Sequence, residues 1–183
     1  SSFYLDETEV RNVDYLEYLF WIKRVYSLSY PEVYKKALPD TLVWRDKLGY
    51  NEPFVNGYLR HPAYQNYPVV GVSWQQATDY CAWRSDRVNE RILIDAGLLK
   101  EDMEQVDDNV FTTEAYLRGQ YEGIVGKNPK NITHENYGSG EKTRLLKMED
   151  GLLLPNYRLP TEAEWEFAAL GHIGNTQEEN TDE

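Results

Sequence analysis

Arg158-Leu159-Pro160-Thr161-Glu162-Ala163-Glu164-Trp165-Glu166 is the stretch from which the rest of the chain is best read. Thr161 followed three residues later by Glu164 is a capping box. The hydroxyl takes a free N–H of the first helical turn, and the carboxylate reaches back to the Thr161 N–H. Glu162, Glu164 and Glu166 crowd the helix start, where the dipole favours negative charge. The helix is expected to run to about Leu170, with Gly171 ending it. Glu162 and Glu164 lie two residues apart, on different helix faces, so they make no acid–base pair.

The same device occurs upstream. Ser73-Trp74-Gln75-Gln76 is a capping box that follows the short apolar run Val69-Val70-Gly71-Val72. Trp74, Ala77, Cys81, Val88 and Ile92 recur at helical spacing, with Arg84 interrupting the stripe and Gly97 as the stop. Nearer the start, Phe3 to Val10 reads as a strand running into a turn. Asn12 or Asp14 caps a helix over Val13–Tyr26 with two apolar stripes: Val13, Leu16, Phe20 and Tyr15, Leu19, Ile22, Tyr26. Pro31 opens a second helix to about Leu38, and Pro39 stops it. Residues 39–68 are punctuated by Pro39, Pro53, Pro62, Pro68, Gly49 and Gly57. They predict a long packed loop region with one short strand at Thr41–Arg45.

Residues 100–156 differ in character. An acidic run, Glu101 to Asp108, leads to a short expected helix at Thr113–Gly119. Glycines among polar residues follow. The composition predicts an insertion with weak internal order, holding a hairpin that ends at Leu152-Leu153-Leu154. The polar, acidic tail from Asn175 to Glu183 is expected to be disordered. The expected organisation is therefore 1–99 as the first part of a domain, 100–156 as an insertion, 157–171 as its continuation and 172–183 as a disordered acidic tail.

Composition narrows the function. A chain of 183 residues suits one domain, and 41% hydrophobic with 27% charged residues is ordinary for a globular protein. Aromatics reach 14%, with 15 Tyr and 5 Trp, residues that fill cores and interfaces. The net charge of −12 is uneven: residues 1–95 hold 11 basic and 13 acidic residues, residues 96–183 hold 8 and 18. No clustered Lys/Arg stripe suits phosphate, and an acidic half is repelled by anionic lipid, which argues against nucleic acid and against direct membrane-surface binding. No run of about 18 apolar residues spans a bilayer, and no signal-peptide pattern is present.

Chemistry-bearing residues are few. His61, His134 and His172 sit with no other metal ligand at helix or hairpin spacing. Asp107-Asp108-Asn109 lacks the glycine and closing Glu of a calcium loop. Gly138-Ser139-Gly140-Glu141-Lys142-Thr143 has too few spacer residues for a phosphate loop, and Asn131-Ile132-Thr133 is a three-residue glycosylation match. Cys81, the lone cysteine, excludes an intrachain disulfide. Its place on an apolar stripe predicts a buried, inert thiol, with Arg84 one turn on as the group that would lower its pKa. No catalytic, cofactor-binding or metal site is assigned, no cofactor is expected, and partner-binding residues stay unknown.

Three segments in order carry a family likeness. Phe3-Tyr4-Leu5-Asp6-Glu7-Thr8-Glu9-Val10-Arg11-Asn12 resembles an early D-x-x-E-V-T-N segment, with Arg11 where Thr is usual. Tyr67-Pro68-Val69-Val70-Gly71-Val72-Ser73-Trp74, with Ala77, Tyr80, Cys81 and Trp83, resembles P-V-x-x-V-S-W…A…Y-C-x-W. Tyr157 to Ala168 resembles R-L-P-T-E-A-E-W-E. Together these resemble the formylglycine-generating-enzyme (sulfatase-modifying factor) domain. The resemblance implies an α+β fold related to C-type lectins, loop-rich with short strands and a few helices, here with a large insertion. It further implies a chain incomplete at both ends, because the family domain continues into a G-N-V-W-E-W segment, calcium sites and, in true enzymes, paired catalytic cysteines.

Between those motifs, Tyr15 to Leu19, Pro39 to Arg45, Lys47 to Glu52, Tyr58 to Tyr64 and Trp83 to Glu90 are similar to a gliding-motility lipoprotein family. That likeness implies a non-enzymatic scaffold on the periplasmic face of the outer membrane. It would be anchored by a lipid upstream of Ser1, and its partners would be other protein components of the gliding and type IX secretion apparatus. Two alternatives stand beside it: a formylglycine-generating oxidase whose catalytic cysteines lie outside this chain, and a carbohydrate- or peptide-binding module.

Overall fold

The computed structural model describes residues 3–122 and 145–170. It is built on helices. α1 spans Asn12–Tyr26, α2 Pro31–Ala37, α3 Glu52–Gly57, α4 Trp74–Asp95, α5 Thr113–Leu117 and α6 Glu162–Leu170, with single 3₁₀ turns between several of them. The α+β expectation is overturned. Among the described residues there is no sheet, and strand-like pairing is reduced to one antiparallel bridge between Arg11 and Pro68. Val69 N–H donates to the Val10 carbonyl at 2.9 Å and Asn12 N–H to Tyr67 O at 2.9 Å. Pro68, between those two bonds, has no N–H to extend a ladder. The expected strand at Thr41–Arg45 is a 3₁₀ turn over Thr41–Trp44. The Asp40 carboxylate accepts the Leu42 N–H at 2.9 Å and curls the backbone at its start.

The helix starts follow their caps. Ser73 and Gln76 exchange bonds as a capping box, with Ser73 N–H to Gln76 Oε1 at 2.7 Å and Gln76 N–H to Ser73 Oγ at 3.2 Å. Gln76 Nε2 also donates to the carbonyls of Lys36 and Leu38, each at 2.8 Å, and so fixes the end of α2 against the start of α4. Of the two residues expected to cap α1, Asp14 takes part, as the third-position member of a box whose first member is Arg11. Asp14 accepts the Arg11 N–H at 3.1 Å, while Asn12 turns inward and is fully buried. Its Nδ2 donates to Tyr58 O at 3.2 Å and Tyr64 O at 2.9 Å, holding the 58–67 loop.

Two apolar clusters share α4. The first gathers Tyr15, Tyr18, Leu19, Ile22, Ala37 and Tyr80. Tyr15 and Tyr80 stack at 5.7 Å, and Tyr18 meets the Trp83 ring at 5.2 Å. Of the two stripes expected on α1, the one through Tyr15, Leu19 and Ile22 is buried. Val13 and Phe20 face solvent, because α4 covers only one side. The second cluster is Leu93, Leu99, Phe111, Tyr116, Tyr121, Leu146 and Leu153. The described parts of 100–156 thus pack Phe111, Tyr116, Tyr121, Leu146 and Leu153 against Leu93 and Leu99. No hairpin occurs among residues 145–154, and residues 123–144 lie outside the described residues. Gly171 as the helix stop, the disordered tail, the sequon, the Gly138–Thr143 stretch, His134 and His172 also lie outside them.

Candidate functional site

α4 presents a polar line where a helix facing two cores is expected to be apolar. Its buried residues are Tyr80, Ser85, Asn89 and Leu93, not the stripe from Trp74 through Ala77. The reason lies in what faces it. Asn89 Oδ1 accepts the Leu154 N–H at 2.9 Å and its Nδ2 donates to Leu154 O at 3.1 Å. One turn earlier, Ser85 Oγ accepts the Tyr157 N–H at 2.8 Å. Asp86 accepts the Thr113 N–H at 2.8 Å. Irregular backbone cannot be buried with its polar groups unpaired. Side chains of α4 do here what a neighbouring strand does elsewhere.

The larger cleft, about 530 Å³, lies between the 6–11 segment, the start of α1 and the middle of α4. Its walls include Asp6, Glu9, Arg11, Asp14 and Arg84, of which Arg11 pairs with Asp14 and Arg84 with Asp6. Arg11 grips Asp14 with two bonds, Nε at 2.9 Å and Nη2 at 2.8 Å. That hydrogen-bonded guanidinium holds the Asp14 carboxyl below the usual carboxylate range. Arg84 pairs with Asp6 and lies 4.3 Å over the Tyr157 ring. It thereby ties the first family-like segment to the third.

A second cleft, of about 330 Å³, is lined by Trp74, Thr78, Cys81, Tyr157 and Pro160. Cys81 is half-buried there. Burial pushes its thiol pKa up, and Arg84 pulls only partly against it. A thiol held protonated is a poor nucleophile. The sequence placed Cys81 and Arg84 together, and so does the fold, with the desolvation of the thiol outweighing the charge.

The third motif is likewise occupied with itself. Arg158 grips Glu164 with two bonds of 2.7 Å. Glu164 also accepts the Thr161 N–H at 2.8 Å, as the capping box predicts. Together these contacts hold its carboxyl at about 2, the Arg158 hydrogen bonds contributing most. Glu162 and Glu164 form no pair. Among the described residues no group of three or more His, Cys, Asp and Glu is arranged to hold a metal ion. No described helix is long and apolar enough to cross a membrane.

Sequence reasoning missed Arg87. Its guanidinium lies 4.5 Å over Trp21 and 5.9 Å from the Phe111 ring, pairs with Glu90 at 2.9 Å and donates to Phe111 O at 2.5 Å. Burial lowers its pKa and raises that of Glu90. No local pattern pointed to Arg87, because its aromatic partners are 66 residues before and 24 after it in the chain.

A family model described as the sulfatase-modifying factor enzyme 1-like domain matches residues 1–181. No curated protein and no solved structure matches the chain.

Proposed function

The chain belongs to the sulfatase-modifying factor enzyme 1-like domain family, and from that premise we propose that it is a non-enzymatic scaffold acting through protein–protein contacts in the gliding-motility and type IX protein secretion machinery of Bacteroidetes. Its intervening segments resemble those of gliding-motility lipoprotein J. The corresponding place is the periplasmic face of the outer membrane, reached through a lipid anchor upstream of this chain, and the partners are other protein components of that apparatus. Neither nucleic acid nor a cofactor enters this reading.

One observation carries it. The arginines in and beside the family-like motifs are spent on the chain's own architecture: Arg11 on Asp14, Arg84 on Asp6, and Arg158 on Glu164. A guanidinium with one donor edge already held by an internal carboxylate, and its charge neutralised, is less available to a substrate. Exposed aromatics such as Trp74 and Trp165 add surface of the kind that partners cover.

The test is chemical crosslinking of the full-length protein in its native envelope, read by mass spectrometry. Abundant crosslinks to secretion or gliding proteins are expected. Crosslinks only to a sulfatase-like substrate, or none to protein, would overturn the scaffold reading. Family membership itself favours a second reading, formylglycine-generating oxidation with the catalytic cysteines outside this chain. Conversion of cysteine to formylglycine in a sulfatase-derived peptide by the full-length protein would establish it, and retention on glycans without a protein partner would favour a binding module.

A further inference from the structure

We propose that residues 102–109 form a releasable strap whose opening uncovers the side of the Arg87 guanidinium that Gln105 contacts, independently of the function proposed above. The strap runs between Leu99 and Phe111, both in the second core, and crosses from α4 towards the end of α1. Its pattern of burial is inverted. Gln105 is 3% exposed, while Met103 is 69% and Val106 45% exposed. A segment that buries an amide and leaves its apolar side chains in water gains little from the hydrophobic effect on docking.

What holds the strap closed is polar and sparse. Among the described residues, its only backbone-to-backbone bond is internal, from Asn109 N–H to Val106 O at 3.0 Å. Side chains supply the rest. Gln105 Oε1 accepts the Phe111 N–H at 2.9 Å, and its Nε2 donates to Glu90. Arg24 Nη1 donates to Met103 O at 2.6 Å, and Ser29 Oγ donates to Asp107. These two outer tethers are solvent-exposed, where hydrogen bonds to a loop exchange readily with water. Asp107 sits at φ +49°, in the left-handed region that a non-glycine residue occupies at a cost, and its Oδ1 is buried without a partner. Elements with few apolar contacts, solvent-exposed tethers and local strain open below the global unfolding limit.

Beneath the strap lies a built surface. The Arg87 guanidinium stacks on Trp21 and donates to Phe111 O on the strap's far side, and its Nη1 is 3.4 Å from Gln105 Oε1. When the strap lifts, Gln105 leaves both the Phe111 amide and the guanidinium. The Phe111 N–H, which donates to Gln105 Oε1, is the natural reporter, and the Leu93 amide within α4 reports global opening.

The experiment is residue-resolved amide exchange by NMR on the full chain and on an Arg24→Ala/Ser29→Ala variant, which removes both outer tethers and touches no buried side chain. In the unaltered chain Phe111 is expected to exchange at least about tenfold faster than Leu93, and the variant to speed Phe111 by about another tenfold with Leu93 unchanged. Equal exchange at Phe111 and Leu93, an unchanged Phe111 rate in the variant, or acceleration of both amides together would each overturn the strap.

Discussion

Gly71 adopts φ +80°, and a Cβ built there would lie 2.1 Å from the Asp40 carbonyl oxygen. The Asp40 N–H donates to the Gly71 carbonyl at 2.8 Å, so two backbone stretches touch directly. Both the dihedral and the clash oppose a side chain, and the clashing atom is backbone that cannot rotate away. Gly71→Ala is expected to destabilise the fold by on the order of 3 kcal/mol, read by urea unfolding. A loss under about 1 kcal/mol would mean that the 40–71 contact is soft. The apolar run around Gly71 was legible in the sequence. The reason for the glycine was not, because Asp40 is distant in the chain.

α6 illustrates the element scale. Its start is fixed by the capping box and by the Arg158–Glu164 fork, and its nine residues include none that is buried. Stability of this helix therefore rests on its terminus more than on packing. The Glu164 carboxyl is held at about 2 against an ordinary 4.5. A depressed carboxylate contributes fully above its unfolded value and loses that contribution as pH falls towards the folded one. The helix is thus expected to keep its cap at pH 7 and to loosen between about pH 4.5 and 2. Carboxyl chemical shifts of Glu164 followed by NMR, with helical shifts of Ala168 and Ala169, check this. A midpoint near 4.5, or loss of helix shifts already at pH 6, would contradict it. Here the Thr161–Glu164 box was legible in the sequence, since its residues are neighbours, whereas the Arg158 fork on Glu164 was seen only in the structure.

The whole molecule hangs on α4, which contributes Tyr80 to one cluster and Leu93 to the other. Phe111 lies at the centre of the second, fully buried and ringed by Tyr116 at 5.8 Å and Tyr121 at 5.3 Å. Phe111→Ala is expected to cost about 3–5 kcal/mol, as buried aromatic truncations do. Because both clusters share one helix, chemical unfolding followed by Trp fluorescence and by circular dichroism should remain a single coincident transition at a lower midpoint. Separated transitions, with α1 and the first cluster unaffected, would show that the two clusters are independent bodies.

The sequence by itself determined the features whose causes are local. Both capping boxes, the positions of α1, α2, α4, α5 and α6 to within a few residues, and the family were readable from neighbouring residues and ordered motifs. The strands at 3–10 and 41–45 were misread. Their apolar content suits a ladder, but proline at the bridge and a side-chain bond from Asp40 divert the backbone. Only the tertiary structure decided which faces are buried: it buried the Tyr15, Leu19 and Ile22 stripe of α1 but not its neighbour, added Asn12, and on α4 buried Ser85 and Asn89 rather than the apolar stripe first suggested. A buried amide is justified solely by the backbone groups it pairs, and those lie 46 to 72 residues away. The same holds for the motif arginines: their type was visible in the chain, while their commitment to internal carboxylates appeared only when the fold brought Asp6 to Arg84.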